Sequence, residues 1–335
     1  MEVVGIYRAQ GLRVNSKKRV MKNIFITYVD VVSYQIVDST QLVNTNEKET
    51  KECEIEDADR EMAYKTVTFT DRQIEEFKAF AANPGCYEKL VDAFSPSICE
   101  NEDIKKGVIL QLVGGTNRDM SESGRGRFRS CINILLVGDP STAKSQILQS
   151  VFRIANRKIY TSGKGSSAVG LTAYVTKDPE TGEFILESGA LVLADKGICC
   201  IDEFDKMNDS TRVILHEAME QQTISIAKAG IICTLNCRTA ILAAANPVDS
   251  KYNPKLSVVD NIKLPPTLLS RFDLIYLLLD RSSPVTDRRL ANHIVSLYGD
   301  EDPKSKASED IDRKFLASYI SYARQNIHPE ISDLA

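Results

Sequence analysis

A run of small and polar residues between two apolar segments carries groups that could bind a phosphate. The run is Gly138-Asp-Pro-Ser-Thr-Ala-Lys-Ser145, and the apolar stretch 132–137 before it predicts a buried strand. After it, Ile147, Leu148 and Val151 recur at helical spacing. A strand, a tight loop and a helix that opens with Lys-Ser are typical of a phosphate-binding loop, where backbone N–H groups and the helix N-terminus cradle an anion. The alternative is a chance match on an ordinary strand–turn–helix.

Particular side chains of this loop have predicted roles. We expect Lys144 to reach the β and γ phosphates of a nucleotide as a point charge, and Ser145 to place its hydroxyl on Mg²⁺. The usual pattern has glycine directly before the lysine, where this chain has Ala143. Because alanine is the smallest substitute, we expect a right-handed backbone there. The residues predicted to contact the nucleotide are Gly138, Asp139, Pro140, Ser141, Thr142, Ala143, Lys144, Ser145 and Gln146.

Two adjacent carboxylates end a second apolar strand, Ile198-Cys-Cys-Ile-Asp-Glu203. Phosphoryl transfer needs a metal-holding group and a group that activates water. We expect Asp202 to hold Mg²⁺ through water, and Glu203 to orient and deprotonate the attacking water. An acidic pair of this kind can also be a plain strand end, but the phosphate loop upstream favours the catalytic role. Asp205 is predicted to be a cap or turn residue.

Two further polar residues flank later strands. Asn246 ends the strand 239–245, where its amide would fall beside the γ-phosphate and help to hold the attacking water. Arg271 precedes the strand 274–279. It is either a structural surface residue or, in a ring of subunits, an arginine finger that reaches the neighbour's nucleotide. His216 is predicted to be a surface or core histidine and not a catalytic one.

The elements that must position these groups alternate between strands and helices, which predicts an α/β fold. Beyond the strands above, 158–161 is predicted to form another, with 162–170 as loop. Two hairpins interrupt the pattern: one around Lys177–Gly182, and one with Lys228 at its tip. The helix predicted at 286–298 should turn three apolar residues inward, namely Leu290, Ile294 and Leu297. A final helix is predicted to contain Phe315, Leu316, Tyr319, Ile320 and Ala323.

The N-terminal region has a different pattern. Residues 3–7 and 23–37 predict strands, joined by a basic hairpin tip that contains Lys17, Lys18 and Arg19. This tip could contact a phosphate backbone or simply be solvated. Two or three strands are too few for a domain, so we expect the tail end of a β-barrel and not a natural beginning of the protein. An acidic, polar stretch then predicts a flexible linker.

Composition narrows the class of protein. The formal net charge is −4 and 43% of the residues are hydrophobic, so any nucleic-acid contact must come from local basic features. There is no stretch of transmembrane length and no secretory signal. None of the 8 cysteines forms a C-x-x-C pair, and we expect reduced thiols in a cytosolic or nuclear protein, without a zinc site.

Together these motifs resemble the minichromosome-maintenance (MCM) family of replicative helicases, within the AAA+ ATPases. The resemblance rests on Gly138–Ser145, Ile201–Met207 and Leu269–Asp273, and this family also uses Ala or Ser before the phosphate-loop lysine. Ser141 stands where many members have glycine. The stretches 160–174 and 225–232 look most like one particular subunit type of the eukaryotic six-protein ring.

The resemblance implies roles for single residues. Asn246 matches sensor 1, and Arg271 matches the arginine finger that acts on the adjacent subunit's ATP. The hairpin of Lys228 is similar to the pre-sensor-1 hairpin and that of Lys177 to the helix-2 insert, both of which face DNA in the pore. The basic hairpin with Lys17 looks like the N-terminal pore hairpin.

The resemblance also implies the larger plan. The fold would be a three-layer AAA+ ATPase core (71–285) with a five-stranded, mostly parallel sheet, preceded by a piece of an OB-type β-barrel (1–40) and a linker (41–70), and followed by a truncated helical lid (286–335). The zinc module, most of the barrel, the sensor-2 arginine and the winged-helix tail have no counterpart in the sequence, so we expect a fragment.

The implied activity is ATP hydrolysis, with Mg²⁺, that moves a hexameric helicase along DNA in replication. The implied partners are other MCM subunits, with the sixth and seventh as neighbours, single- or double-stranded DNA in the pore, and loading and activating factors. No membrane is expected, and the location would be nuclear, with a possible cytoplasmic pool. The rivals are an AAA+ ATPase that remodels proteins and a ring subunit that binds ATP without hydrolysing it.

Overall fold

The computed structural model describes residues 2–15, 18–35, 69–98, 100–116, 129–177, 184–228, 231–248, 251–280, 283–298 and 312–329. They belong to two units, Met1–Tyr64 and Lys65–Ala335. In the first unit, β1 (Glu2–Asn15) and β2 (Lys18–Gln35) pair antiparallel, in agreement with the predicted hairpin. The predicted linker falls almost entirely outside the described residues.

Five strands of the second unit form one parallel sheet in the order β11-β3-β10-β7-β4. Their bounds are β3 Ile134–Gly138, β4 Lys158–Ser162, β7 Ile198–Asp202, β10 Ala240–Ala245 and β11 Leu274–Leu278. The three central strands are almost entirely apolar because helices cover both faces of a parallel sheet. The predicted α/β core is therefore confirmed. The carboxyl ends of all five strands lie at one edge of the sheet. The phosphate loop, the acidic pair and Asn246 follow three of these strand ends.

Helices lie on both faces of the sheet. The longer ones are α1 Asp71–Ala81, α2 Cys86–Phe94, α3 Glu102–Val113, α4 Lys144–Ile154, α7 Asp209–Gln221, α10 Pro284–Tyr298 and α11 Arg313–Asn326. The short ones are α5 Ala168–Leu171, α6 Ala190–Leu193, α8 Val258–Ile262 and α9 Pro266–Leu269. Helix α5 is a single turn within and just beyond the predicted loop 162–170, and the hydroxyl of Ser167 caps it by accepting from Gly170 N–H. None of the described helices is both long and apolar enough to span a bilayer.

Alternate residues of β3 supply two separate cores. Ile134 and Leu136 pack with α2, α3, α4 and α11, whereas Leu135 and Val137 pack with α7 and the hairpin strands. This alternation follows from the two-residue period of a strand. The sheet is thus the middle of three layers, and both cores hold its carboxyl edge rigid.

Two antiparallel hairpins project from this core. The pairs are β5 (Ala173–Lys177) with β6 (Phe184–Ser188), and β8 (Thr223–Lys228) with β9 (Ile231–Asn236). Both hairpins agree with the sequence prediction, and their tips, 178–183 and 229–230, lie outside the described residues.

The two C-terminal helices differ in how they pack. Helix α11 forms as predicted and buries Leu316 and Ile320, while Phe315, Tyr319 and Ala323 are half-buried. In α10, however, Leu290 and Ile294 are 49% and 46% exposed, so the predicted inward face is wrong for these two residues. The helical period correctly marked an apolar stripe, but no described element of this chain covers it. The side chain of Leu297 lies outside those described.

Candidate nucleotide-binding site

The phosphate loop connects β3 to α4. Contacts of Gly138 and Asp139 with other segments fix the start of the loop. A Cβ on Gly138 would lie 2.1 Å from the carbonyl oxygen of Leu278, so only glycine fits beside β11 at this point. The Asp139 carboxylate then accepts from the backbone N–H of Tyr252 (2.8 Å) and of Asp280 (3.2 Å). The sequence predicts that Asp139 contacts nucleotide, yet in this structure its side chain ties the loop to the segments after β10 and β11.

The backbone of the loop is left-handed at two residues that are not glycine. Ser141 has a φ of 68° and Ala143 has a φ of 62°. The predicted right-handed backbone at Ala143 is therefore wrong. The size of the side chain does not determine the backbone conformation at Ala143. The chain must reverse its direction between Asp139 and the first turn of α4, and this reversal uses residues with left-handed φ. Such positions favour glycine, which is the usual residue at both places.

Lys144 is the first residue of α4 and is buried, at 7% exposure. Its ammonium group donates to the carbonyl oxygens of Gly138 (2.7 Å) and Asp139 and to the hydroxyl of Thr142 (3.2 Å). Burial lowers the pKa of Lys144, while the carboxylates of Asp139, Asp202 and Asp205 oppose this shift. Those acidic neighbours help to keep a positive charge inside the loop.

A cavity of about 490 Å³ opens at this edge of the sheet. It is lined by the loop and helix start Pro140, Ser141, Thr142, Ala143, Lys144, Ser145 and Gln146, and by Asp202, Glu203, Ala244 and Asn246. The volume suits a small ligand or the phosphate end of a larger one. The structure therefore brings together the loop, the acidic pair and the polar residue after β10.

The acidic pair stands at the end of β7, with each side chain held differently. Asp202 accepts from the hydroxyl of Tyr160 and from the backbone N–H of Glu203, both at 2.9 Å. Glu203 has a left-handed φ of 52° and pairs with Lys206 at 2.9 Å. Its other oxygen lies 3.5 Å from the hydroxyl of Ser162. Asp202 is thus oriented from two sides, whereas Glu203 is held by an exposed cation.

Asn246 follows β10, the strand between β3 and β7, so it reaches the cavity between the loop and the acidic pair. Its backbone N–H donates to Asp205 at 3.0 Å. Asp205 lies in a short 3-10 helix, Phe204–Lys206, in agreement with its predicted turn role, and it links that turn to the end of β10.

Arg271 lies away from this cavity. It precedes β11, and its carbonyl oxygen accepts from the side chain of Asn133, which precedes β3 (3.2 Å). Both residues therefore mark the amino edge of the sheet, and the phosphate loop leaves the opposite edge, roughly 15 Å along a five-residue strand. The Arg271 guanidinium pairs with Glu220 at 2.7 Å.

The predicted DNA-contacting residues fall on hairpins. Lys177 ends β5 and Lys228 ends β8, at the last described pair of each hairpin. Lys18 and Arg19 open β2 in the other unit, and for these four residues the structure describes the backbone alone. Lys17 lies outside the described residues.

The donor atoms at the cavity fit Mg²⁺ held together with phosphates. Among the residues that the structure describes, no group of three or more His, Cys, Asp or Glu could hold a metal ion without further ligands. Ser145 and Asp202 offer a hydroxyl and a carboxylate, the hard oxygen donors that Mg²⁺ prefers, and this ion usually keeps waters and substrate phosphates as its other ligands.

Sequence reasoning missed Tyr160 and Lys206, which contact Asp202 and Glu203. Burial raises the pKa of Tyr160 to about 12, and its hydrogen bond to Asp202 adds to the shift. Lys206 could have been found from its spacing, three residues after Glu203. Tyr160 could not, because its partner lies on a strand that is far away in sequence.

Comparisons with known proteins agree with this geometry. The model of the MCM P-loop domain matches residues 73–298. The chain is 54% identical over 335 residues to "DNA replication licensing factor mcm4-B" of Xenopus laevis, covering 100% of this chain and 37% of that protein. It is 55% identical over 337 residues to "DNA replication licensing factor MCM4" of Oryza sativa subsp. japonica, covering 100% of this chain and 38% of that protein.

A relative named mcm7 instead of mcm4 matches less of the chain. "DNA replication licensing factor mcm7" of Schizosaccharomyces pombe is 53% identical over 239 residues, covering 71% of this chain and 31% of that protein. The stretches 160–174 and 225–232 likewise look like the fourth subunit type. The chain spans only about a third of the length of these relatives.

Proposed function

This chain belongs to the MCM family, and from that premise we propose that it is a portion of an ATP-hydrolysing subunit of a hexameric DNA helicase for replication. One observation carries the proposal. The phosphate loop, the acidic pair and Asn246 share one cavity, while Arg271 stands at the opposite edge of the same sheet. In the proposed site a second subunit would supply the arginine.

In the proposed reaction the residues of the cavity bind, orient and accept a proton. Backbone N–H groups of the loop and the Lys144 ammonium bind the β and γ phosphates. Glu203 accepts a proton from the attacking water, which Asn246 helps to hold in line. Ser145 and Asp202 would hold Mg²⁺, which neutralises charge on the phosphate oxygens. Release of Glu203 from Lys206 would leave its carboxylate available to the water.

Arg271 is proposed to act on the ATP of the adjacent subunit. Its own phosphate loop lies across the length of a strand, and Glu220 holds its guanidinium at the amino edge. An arginine presented there could meet the carboxyl edge of a neighbouring sheet. The proposed neighbours are the sixth and seventh MCM subunits.

Movement along DNA is proposed to come from the hairpins. Lys228, Lys177 and the basic turn with Lys17, Lys18 and Arg19 would contact phosphates, so binding would be largely independent of sequence. We place the activity in the nucleus, with loading and activating factors as further partners. The proposed domains are the barrel segment (1–40), the linker (41–70), the ATPase core (71–285) and the partial lid (286–335).

The test is ATP hydrolysis by this chain mixed with its candidate neighbours, with and without single-stranded DNA. We expect activity only on mixing, stimulated by DNA and lost in both Glu203→Gln and Arg271→Ala. In Glu203→Gln, nucleotide binding should survive, because the loop is intact.

Other outcomes point to the rival functions. Full activity of the isolated chain, indifferent to Arg271→Ala, would exclude the shared site. Stimulation by a protein but not by DNA would favour a remodelling ATPase. Binding without hydrolysis, with unwinding unaffected by Lys144→Ala in a full ring, would favour a subunit that uses ATP only to hold the ring together.

A further inference from the structure

Tyr160 stands beside the proposed magnesium side of the cavity without a role in the proposed reaction. We infer that Tyr160 is a positioning residue: its hydroxyl fixes the Asp202 carboxylate, and its ring fixes that carboxylate relative to the helix that carries Ser145. The inference rests on the proposed function, because it concerns how Mg²⁺ and nucleotide phosphates would be held.

The pairing of two strands brings the tyrosine to the aspartate. In the parallel pair β4–β7, Tyr160 lies opposite Cys200 and Ser162 lies opposite Asp202. Residues two apart on a strand share a face, so Tyr160 and Asp202 lie on the same face of the sheet, one step apart along it. The phenol bridges this step, with 2.9 Å between its oxygen and Asp202 Oδ2.

The hydrogen bonds on Asp202 restrict its rotation. An ionised carboxylate only accepts hydrogen bonds, so the Tyr160 hydroxyl is the donor. Asp202 Oδ1 accepts from the backbone N–H of Glu203 and Oδ2 accepts from Tyr160. With one bond on each oxygen, turning the carboxylate breaks both, and each oxygen keeps a further acceptor position for a water of the metal.

The ring of Tyr160 ties the same carboxylate to the phosphate helix. It packs edge-on against Phe152 of α4, with 6.0 Å between centroids and 76° between planes. The ammonium of Lys158 lies 5.2 Å from the centroid of Phe152. Because α4 also carries Ser145, Tyr160 contacts both Asp202 and the helix of the other proposed magnesium-holding residue.

The test is the Mg²⁺ dependence of nucleotide binding by the whole chain, followed with a fluorescent ATP analogue. Tyr160→Phe keeps the ring and removes only the hydroxyl. We expect the Mg²⁺ concentration for half-maximal enhancement of binding to rise about tenfold, at the lower end of typical losses for partners of metal ligands. Binding in EDTA should be unchanged. Tyr276→Phe, a tyrosine of β11 at the other edge of the sheet, is the matched control and should behave as wild type.

A double-mutant cycle separates positioning from a general structural effect. In an Asp202→Asn background, the Tyr160→Phe effect on Mg²⁺ dependence should disappear, because the bonded carboxylate is already gone. An equal loss in both backgrounds, or a loss that persists in EDTA, would overturn the inference.

The controls also separate this inference from the proposed function. If the wild type binds no nucleotide, or Lys144→Ala binds as well as wild type, the proposed function fails. If wild type binds with Mg²⁺ enhancement and Tyr160→Phe has the same dependence, only the role of Tyr160 fails.

Discussion

Ala143 occupies a backbone conformation that usually belongs to glycine. An L-residue in the left-handed region costs about 1–2 kcal/mol, and glycine loses about 0.5–1 kcal/mol more entropy on folding than alanine does. Ala143→Gly should therefore raise the free energy of unfolding by about 0.5–1 kcal/mol, measured by urea denaturation.

The matched control is Ala82→Gly, at the right-handed end of α1 with a φ of −70°. It should lower the free energy of unfolding by about 0.5–1 kcal/mol, because glycine gains no conformational relief there. Equal effects at both alanines would show that the left-handed backbone at Ala143 carries no strain.

At this scale the sequence predicts residue types better than their conformations. The loop, Asp202, Glu203 and Asn246 converge at one cavity, as their positions after apolar strands indicate. The backbone at Ala143 and the use of the Asp139 carboxylate could not be predicted, since both depend on Leu278, Tyr252 and Asp280, which are distant in sequence.

Aromatic rings around Phe77 of α1 join this helix to α11, which also packs on α2, α3 and α4. Phe77 is 2% exposed, and its ring meets Phe69, Phe315, Tyr319 and Tyr322 at 5.3–5.8 Å between centroids. Phe77→Ala should lower the free energy of unfolding by about 3–5 kcal/mol, because it leaves a cavity among rings that cannot close it. Hydrogen exchange of the α11 amides should accelerate with it.

Phe184→Ala is the matched control, since Phe184 is 55% exposed on a hairpin. It should change the free energy of unfolding by less than about 0.5 kcal/mol. Unchanged exchange of α11 in the Phe77 variant would show that this helix is held by Leu316 and Ile320 instead.

Element prediction succeeded where local pattern and packing coincide. The apolar strands had to be covered on both faces, so their existence followed from their sequence. The apolar residues of α10 also recur at helical spacing. Their burial, however, depends on which element lies opposite them, and the spacing of residues within a helix does not contain that information. The order β11-β3-β10-β7-β4 likewise depends on pairings between distant segments.

At the scale of the whole unit, buried cysteines lie in both of the cores that flank the sheet. Cys200 lies in the core with α4 and α11, whereas Cys199 and Cys237 lie in the core with α7. Burial raises the pKa of Cys237 to about 12, so its reactive thiolate is scarce at pH 8. In the native chain these three thiols should resist iodoacetamide, while the partly exposed Cys86 and Cys233 should react, as checked by peptide mass spectrometry.

Denaturant should make the protected thiols react. If the two layers unfold together, Cys200 and Cys237 should become reactive at the same urea concentration. Labelling of Cys237 in the native chain would contradict the packing of that layer.

The separation of Arg271 from its own phosphate loop also determines which assemblies of subunits can complete every site. Under the proposed role, each contact joins two different surfaces, head to tail, so a two-fold dimer cannot satisfy both partners. An open row of subunits always leaves one loop without an arginine and one arginine without a loop. Only closure of the ring removes both ends, and the last complete site appears at the moment of closure.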